Sequence, residues 1–189
     1  MLSKKRNEGF SLVELIIIIA ILAILLAILV PRLSELWHSS ARECAYNINS
    51  LIAKCKTDSM SMGTTENDGT AAAKEKNEVY IRLYIKNGEI YGDFYRGTPT
   101  AATLATSPPL LSTEKLGDNK AEQGLDAATK TLMTTYDGLY ISFDRATGKL
   151  DTFGNTPAPT SSGIIGDRAI TVGKNTITIH GLTGKHEIG

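Results

Sequence analysis

From Leu15 to Val30 the chain runs through sixteen consecutive apolar residues, LIIIIAILAILLAILV. A helix of that composition has no polar face to turn toward water, so it needs lipid or other apolar helices around it. Counted from Phe10, with Ser11 and Glu14 tolerated, the segment reaches 21 residues, enough to cross a hydrocarbon layer of about 30 Å as a helix. Inside such a layer only a helix or a closed barrel satisfies its own backbone. Lys4, Lys5 and Arg6 precede the run, and the positive-inside rule keeps that end in the cytoplasm. One residue resists this simple reading. Glu14 sits at the near edge of the run, where a carboxylate is costly unless it has a partner; the plainer alternative is a charge tolerated at an interfacial helix end.

Three fates are open to such a segment. A secretory signal would have an apolar region of about 7–15 residues and then a small-x-small cleavage site; this run is longer and ends in ILVPRL. A plain anchor would have no use for Glu14. The third fate is cleavage ahead of the apolar part, between Gly9 and Phe10. The stretch KKRNEGFSLVELIIIIAILAILLAILVPRL fits that one: a short basic leader ending in Gly9, then Phe10, Ser11, Leu12, Val13, Glu14, an apolar helix, and Pro31 directly after it. These residues resemble the class III signal of type IV prepilins and pseudopilins, and the resemblance extends to about residue 58.

The resemblance implies that a membrane-embedded prepilin peptidase cuts after Gly9 and N-methylates Phe10. It implies that Glu14 then pairs with the N-terminal amine of a subunit already in a filament, and that Pro31 marks a segment able to unwind and stretch on packing. The partners implied are other pilin subunits, the peptidase, an assembly platform with its ATPase, and the cytoplasmic membrane. The protein would cross that membrane once and later reside in a surface pilus or extracellular filament. Cleavage removes Lys4, Lys5, Arg6 and Glu8, taking the formal charge from +0 to −2. Gly9 also has a local reason, because a residue without a Cβ lets a protease approach the backbone closely. A loose likeness of the tail ITVGKNTITIHGLTGKHEIG to minor pilins and minor pseudopilins tilts toward a less abundant subunit. No cysteine follows Cys55, so the C-terminal disulfide loop common in pilins of diderm bacteria cannot form; that departure favours a pseudopilin or a pilin from a Gram-positive organism.

Past Pro31, the residues Leu33, Trp37, Ala41, Cys44, Ile48, Leu51 or Ile52, and Cys55 recur every three or four positions. That is one apolar stripe. It predicts a single helix from about Ser11 to Thr57 whose second half packs on a globular head, with Trp37 either at the neck or at the membrane interface. Cys44 and Cys55, eleven residues apart on that helix, are separated by about 16 Å, beyond the reach of about 7 Å that a disulfide allows.

The expected organisation is therefore a leader at 1–9, a hydrophobic helix at 10–30, an amphipathic half at 31–57 and a head at 58–189. The head reads as α+β, the helix packed on an antiparallel sheet of roughly four to seven strands. Residues 57–78 form a loop; its ENDG lacks the spacing of a calcium loop. Residues 79–96 form a hairpin, Val79, Ile81, Leu83 and Ile85 alternating with Tyr80, Arg82 and Tyr84 around the turn Asn87-Gly88. Residues 97–118 read as a surface loop or insertion, 119–136 as a short helix weakened by Gly124, 139–154 as a hairpin turning at Gly148, 155–163 as a linker, and 168–182 as a last hairpin. GDFYRG and DRATGK read as turn chemistry.

Two binding surfaces are conceivable in the head. Tyr80, Tyr84, Tyr91 and Tyr95 beside Arg82 and Arg96 could stack single-stranded nucleic acid or sugar, or simply pack the sheet. Lys149, Lys174, Lys185, Arg145 and Arg168 could form a basic patch for DNA. No cofactor is implied and no enzyme constellation is present: His38, His180 and His186 lie outside any metal-ligand spacing, and phosphate-loop and GxSxG motifs are missing. The chain is expected to be structural and not an enzyme.

Overall fold

The computed structural model describes residues 12–61, 79–96, 110–135, 137–155 and 164–189, with backbone only for 28–38. The chain divides into two compact units, Met1–Leu36 and Trp37–Gly189, each described by itself. Helix α1, Leu12–Ser61, runs through both. It ends four residues later than the sequence pattern suggested.

In the first unit the described side chains of α1, residues 12–27, are apolar on every side but for Glu14. Its large side chains from Leu12 to Leu26 are all exposed, from 43% at Ile18 to 76% at Leu12. Among the described residues no helix is long and apolar enough to cross a membrane. The described side chains of this stretch stop at Ala27, so they span only about 24 Å at 1.5 Å per residue, against a layer of about 30 Å.

In the second unit the stripe behaves as its spacing predicted. Ala41, Cys44, Ala45, Ile48, Leu51, Ile52 and Cys55 are buried, while Arg42 and Lys54 are exposed. Each fully buried Ile or Leu contributes about 1.5–3 kcal/mol. The stripe packs on strands β1 (Val79–Lys86), β2 (Glu89–Arg96), β3 (Leu110–Gly117), β4 (Leu139–Phe143) and β5 (Leu150–Gly154). These form a five-stranded antiparallel sheet in the order β3-β2-β1-β4-β5. Val79, Ile81 and Leu83 join the same core as the helix stripe, as the alternation required. Asn87 and Gly88 both take positive φ, 56° and 77°, the pair a tight type I′ hairpin needs. Gly92 in β2 admits the helix: a Cβ there would lie 2.5 Å from Leu51 Cδ2.

Three expectations are corrected. Leu110–Gly117, read as loop, is strand β3 on the sheet edge. Gly92 to Arg96, read both as part of the 79–96 hairpin and as turn chemistry, belongs to β2, as the hairpin reading had it. The head has two sheets, not one: β6 (Arg168–Val172), β7 (Asn175–Ile179) and β8 (His186–Ile188) form a separate three-stranded sheet. Its Ile170, Val172, Ile177 and Ile179 nevertheless join the common core. Gly124 breaks the expected helix in two, α2 (Asn119–Gln123) and α3 (Ala127–Thr134), each with an aspartate, Asp118 or Asp126, accepting backbone N–H groups at its N-cap. Gly148 and Gly173 turn their hairpins with φ of 67° and 66°. The expected loop at 57–78 lies mostly outside the described residues, as does the linker at 155–163 after Asn155.

Candidate functional site

Gly9, Phe10, Lys4, Lys5 and Arg6 lie outside the described residues, as does the ENDG stretch. Glu14 falls in the first turn of α1 and is exposed. An acid there is favoured by the positive end of the helix dipole, which lowers the cost of carrying it. Pro31 lies within the helical run; it can donate no backbone hydrogen bond there. The side chains of Pro31, Leu33, Trp37 and His38 are among those not described. What the described side chains of this unit, residues 12–27, present is an apolar helix with one carboxylate near its start.

The head carries a second constellation, on the sheet face away from α1. Cross-strand register sets Tyr80 opposite Tyr95, Arg82 opposite Asp93 and Tyr84 opposite Tyr91, and Asp93 opposite Thr113 of β3. Asp93 is 3% exposed and accepts from four groups: Arg82 Nη2 at 2.6 Å, Tyr95 OH at 2.8 Å, Thr113 Oγ1 at 2.8 Å and, more loosely, Tyr84 OH at 3.4 Å. The Arg82 guanidinium lies 4.6 Å from the Tyr84 ring and 5.7 Å from the Tyr95 ring. Burial, the largest single influence, lowers the Arg82 pKa; the Asp93 hydrogen bond and charge, together with Tyr95 and Tyr140, outweigh it, and the guanidinium is held charged more firmly than usual. Tyr80 and Tyr95 stack at 5.0 Å, and Tyr140 meets Tyr80 at 6.1 Å. Burial raises the pKa of all three hydroxyls.

So the four tyrosines do share a face, but it is not an open stacking platform. Tyr80 and Tyr95 are buried, 0% and 7% exposed, and stack on each other. Sequence reading missed Asp93 and Thr113, the acceptor and one of its donors. The signal was present: Asp93 alternates with Tyr91 and Tyr95 on β2, so period two puts it on their face. Thr113 gave none, because β3 lacks a buried alternation.

The proposed basic patch is divided: Arg168 and Lys185 share one end of the β6–β8 sheet, where Arg168 pairs with Ile179 and Ile179 with His186, and Lys174 lies at the other. Arg168 starts β6 and Lys174 lies past its far end, more than roughly 13 Å apart at strand rise. Lys185 is spent on Glu187 at 2.9 Å. His180 sits between Asp167 (3.0 Å) and Glu187 (3.5 Å); among the described residues no cluster could hold a metal ion. Cys44 and Cys55 are buried free thiols. Burial first, and nearby carboxylates second, push Cys44 up to about 12; burial also pushes Cys55 to about 12. The thiolate is the reactive form, so at pH 8 both should resist alkylation by iodoacetamide in the folded protein and react fully in denaturant. Rapid modification of folded protein, read by mass, would contradict this packing.

Residues 4–30 match the family model of the prokaryotic N-terminal methylation motif, the class III signal consistent with the type IV pilin and pseudopilin family. The matched stretch is about a seventh of the chain and covers the basic leader, the expected cleavage position, Glu14 and the apolar run. Such a motif marks a pilin-like or pseudopilin precursor, processed by a prepilin peptidase and assembled with other pilin subunits. No curated protein matches the chain significantly, and no solved structure does.

Proposed function

We propose that this protein is a structural subunit of a type IV pilus. It is exported after cleavage between Gly9 and Phe10, methylated on Phe10, and polymerised through α1, with the head displayed outside for adhesion, twitching motility or DNA uptake. It carries out no catalysis itself; the work of assembly falls to the platform and its ATPase. One observation carries the reading: the methylation motif at residues 4–30 leads directly into a helix whose large side chains are exposed and apolar from Leu12 to Leu26. In water that surface is untenable; in a membrane, and then in a bundle of like helices, it is covered at every stage.

A second reading, a pseudopilin of a type II secretion system, has one specific observation in its favour, the lack of any cysteine beyond Cys55. A minor subunit that takes DNA through the basic side chains is disfavoured by the pairing of Lys185 with Glu187 and by the distance of Lys174 from Arg168. Processing tests the common core of the first two readings. Gly9→Val should leave uncleaved precursor in the membrane and no filament, because a branched side chain at the scissile position blocks close approach to the backbone. Normal processing of Gly9→Val would place the cut elsewhere.

A further inference from the structure

A cleft of about 380 Å³ opens at the end of β1 against the C-terminal turn of α3, lined by Arg82, Tyr84, Ile85, Lys86, Met133, Thr134 and Asp137. Its size lies within the range of about 300–1,000 Å³ usual for small-ligand sites. Its rim is built, not incidental. Asp137 holds a left-handed backbone, φ 69°, uncommon for a residue with a Cβ. Gly138 follows at φ 130°, pressed so closely on β1 that a Cβ would lie 2.5 Å from Leu83 O and 3.1 Å from Tyr84 Cβ. From the other side the Asn155 amide donates to Leu132 O, to Thr135 O at 2.9 Å and to Gly138 O at 3.1 Å. One side-chain amide thus ties the end of α3 to the turn that carries Asp137. Unusual backbone held by surrounding structure is a recognised mark of a functional position, and a fixed rim reduces the ordering cost of binding.

The lining specifies chemistry. Lys86 is exposed and enters none of the ion pairs among the described residues; it offers a point cation. Arg82 adds positive potential but its hydrogen bonding is directed at Asp93. Asp137 is exposed and accepts from hydroxyls while repelling a bare multivalent anion. Thr134 already donates to Lys130 O at 2.9 Å, so its oxygen is left as an acceptor. Ile85 and the Tyr84 side chain supply an apolar wall, backed by the buried Met133. The Tyr84 ring is engaged by Arg82 at 4.6 Å and stacked with Tyr91 at 5.8 Å, so a further nucleobase is not what the cleft offers. One cation, hydroxyl acceptors and an apolar wall fit a hydroxyl-rich ring bearing a single carboxylate. We propose that this cleft binds a sugar acid unit, its carboxylate on Lys86, its hydroxyls on Asp137 and Thr134, and its carbon face against Ile85 and Tyr84. The proposal goes beyond the pilus reading and stands or falls without it.

The test is saturation-transfer NMR on the full-length protein in detergent micelles with D-glucuronate, glucose and inorganic phosphate as separate probes. Glucuronate should show transfer to its ring protons with a dissociation constant on the order of 1 mM. Glucose should bind about tenfold more weakly, the loss of one charge-assisted hydrogen bond, and phosphate should not compete. Lys86→Ala and Asp137→Gly, the second keeping the left-handed backbone, should each weaken glucuronate about tenfold with an unchanged tyrosine near-ultraviolet spectrum. No transfer to glucuronate, equal competition by phosphate, or full binding by Lys86→Ala with the spectrum unchanged would each overturn the assignment.

Discussion

Glu14→Ala should give a protein that is cleaved, methylated and held in the membrane, and yet makes almost no filament. The helix start tolerates the change, because Glu14 is exposed in the first turn of α1. Assembly does not tolerate it. If Glu14 meets the methylated amine of a neighbour inside an apolar bundle, its removal leaves that amine buried and uncompensated, a penalty of about 3–5 kcal/mol per subunit. That lowers subunit addition by roughly two to four powers of ten. Glu14→Gln keeps size and polarity but not charge, and should fail nearly as badly. Filament recovered by shearing, compared with membrane-held protein, is the readout. Wild-type filament yield from Glu14→Ala would remove the pairing role and return Glu14 to a tolerated interfacial charge.

The second large effect belongs to the head. Asp93→Ala should destabilise the Trp37–Gly189 unit by about 3–5 kcal/mol, because it strands a largely buried guanidinium. The lower half of that range is expected, since the Arg82 side chain keeps 22% of its exposure. The hydroxyls of Tyr95 and Thr113 lose their acceptor as well, and each buried unsatisfied group adds to the penalty. At about 2–4 °C per kcal/mol for a unit of this size, the midpoint should fall by roughly 6–16 °C. Glu114→Ala is the control. Its pair with Lys54 spans 3.4 Å with both side chains about half exposed, 47% and 48%, so the change should stay within about 1 kcal/mol. Near-ultraviolet circular dichroism reports the transition through the buried Tyr80, Tyr95 and Tyr140. Equal loss in the two variants would mean that the Asp93 network contributes no more than a surface pair.

Local periodicity made part of this molecule readable. The α1 stripe follows from spacings of three and four that survive the helix intact, and the β1–β2 hairpin from strict alternation around Asn87-Gly88. Gly148 was read as a turn because glycine alone enters the left-handed region freely. What escaped was non-local. Strand β3 buries only Leu116 of its eight residues; an edge strand with one buried side chain writes no alternation into its sequence, and the Thr- and Pro-rich stretch before it pointed to loop. The separation of β6–β8 into their own sheet depends on which strands pair, a choice no single segment encodes. Asp93 fell inside the 79–96 hairpin but was also read as turn chemistry; only its register against Arg82 reveals an ion pair. The methylation motif needed no tertiary context, since a peptidase reads it as a short local segment.

The central claim is that the leader is removed so that Phe10 becomes the first residue and Glu14 gains a partner. Intact mass and N-terminal fragment analysis of the protein purified from its own membranes test it most directly. The expected mature chain starts at N-methylated Phe10 and lacks residues 1–9. A chain that still begins at Met1 in membranes containing an active prepilin peptidase would contradict it.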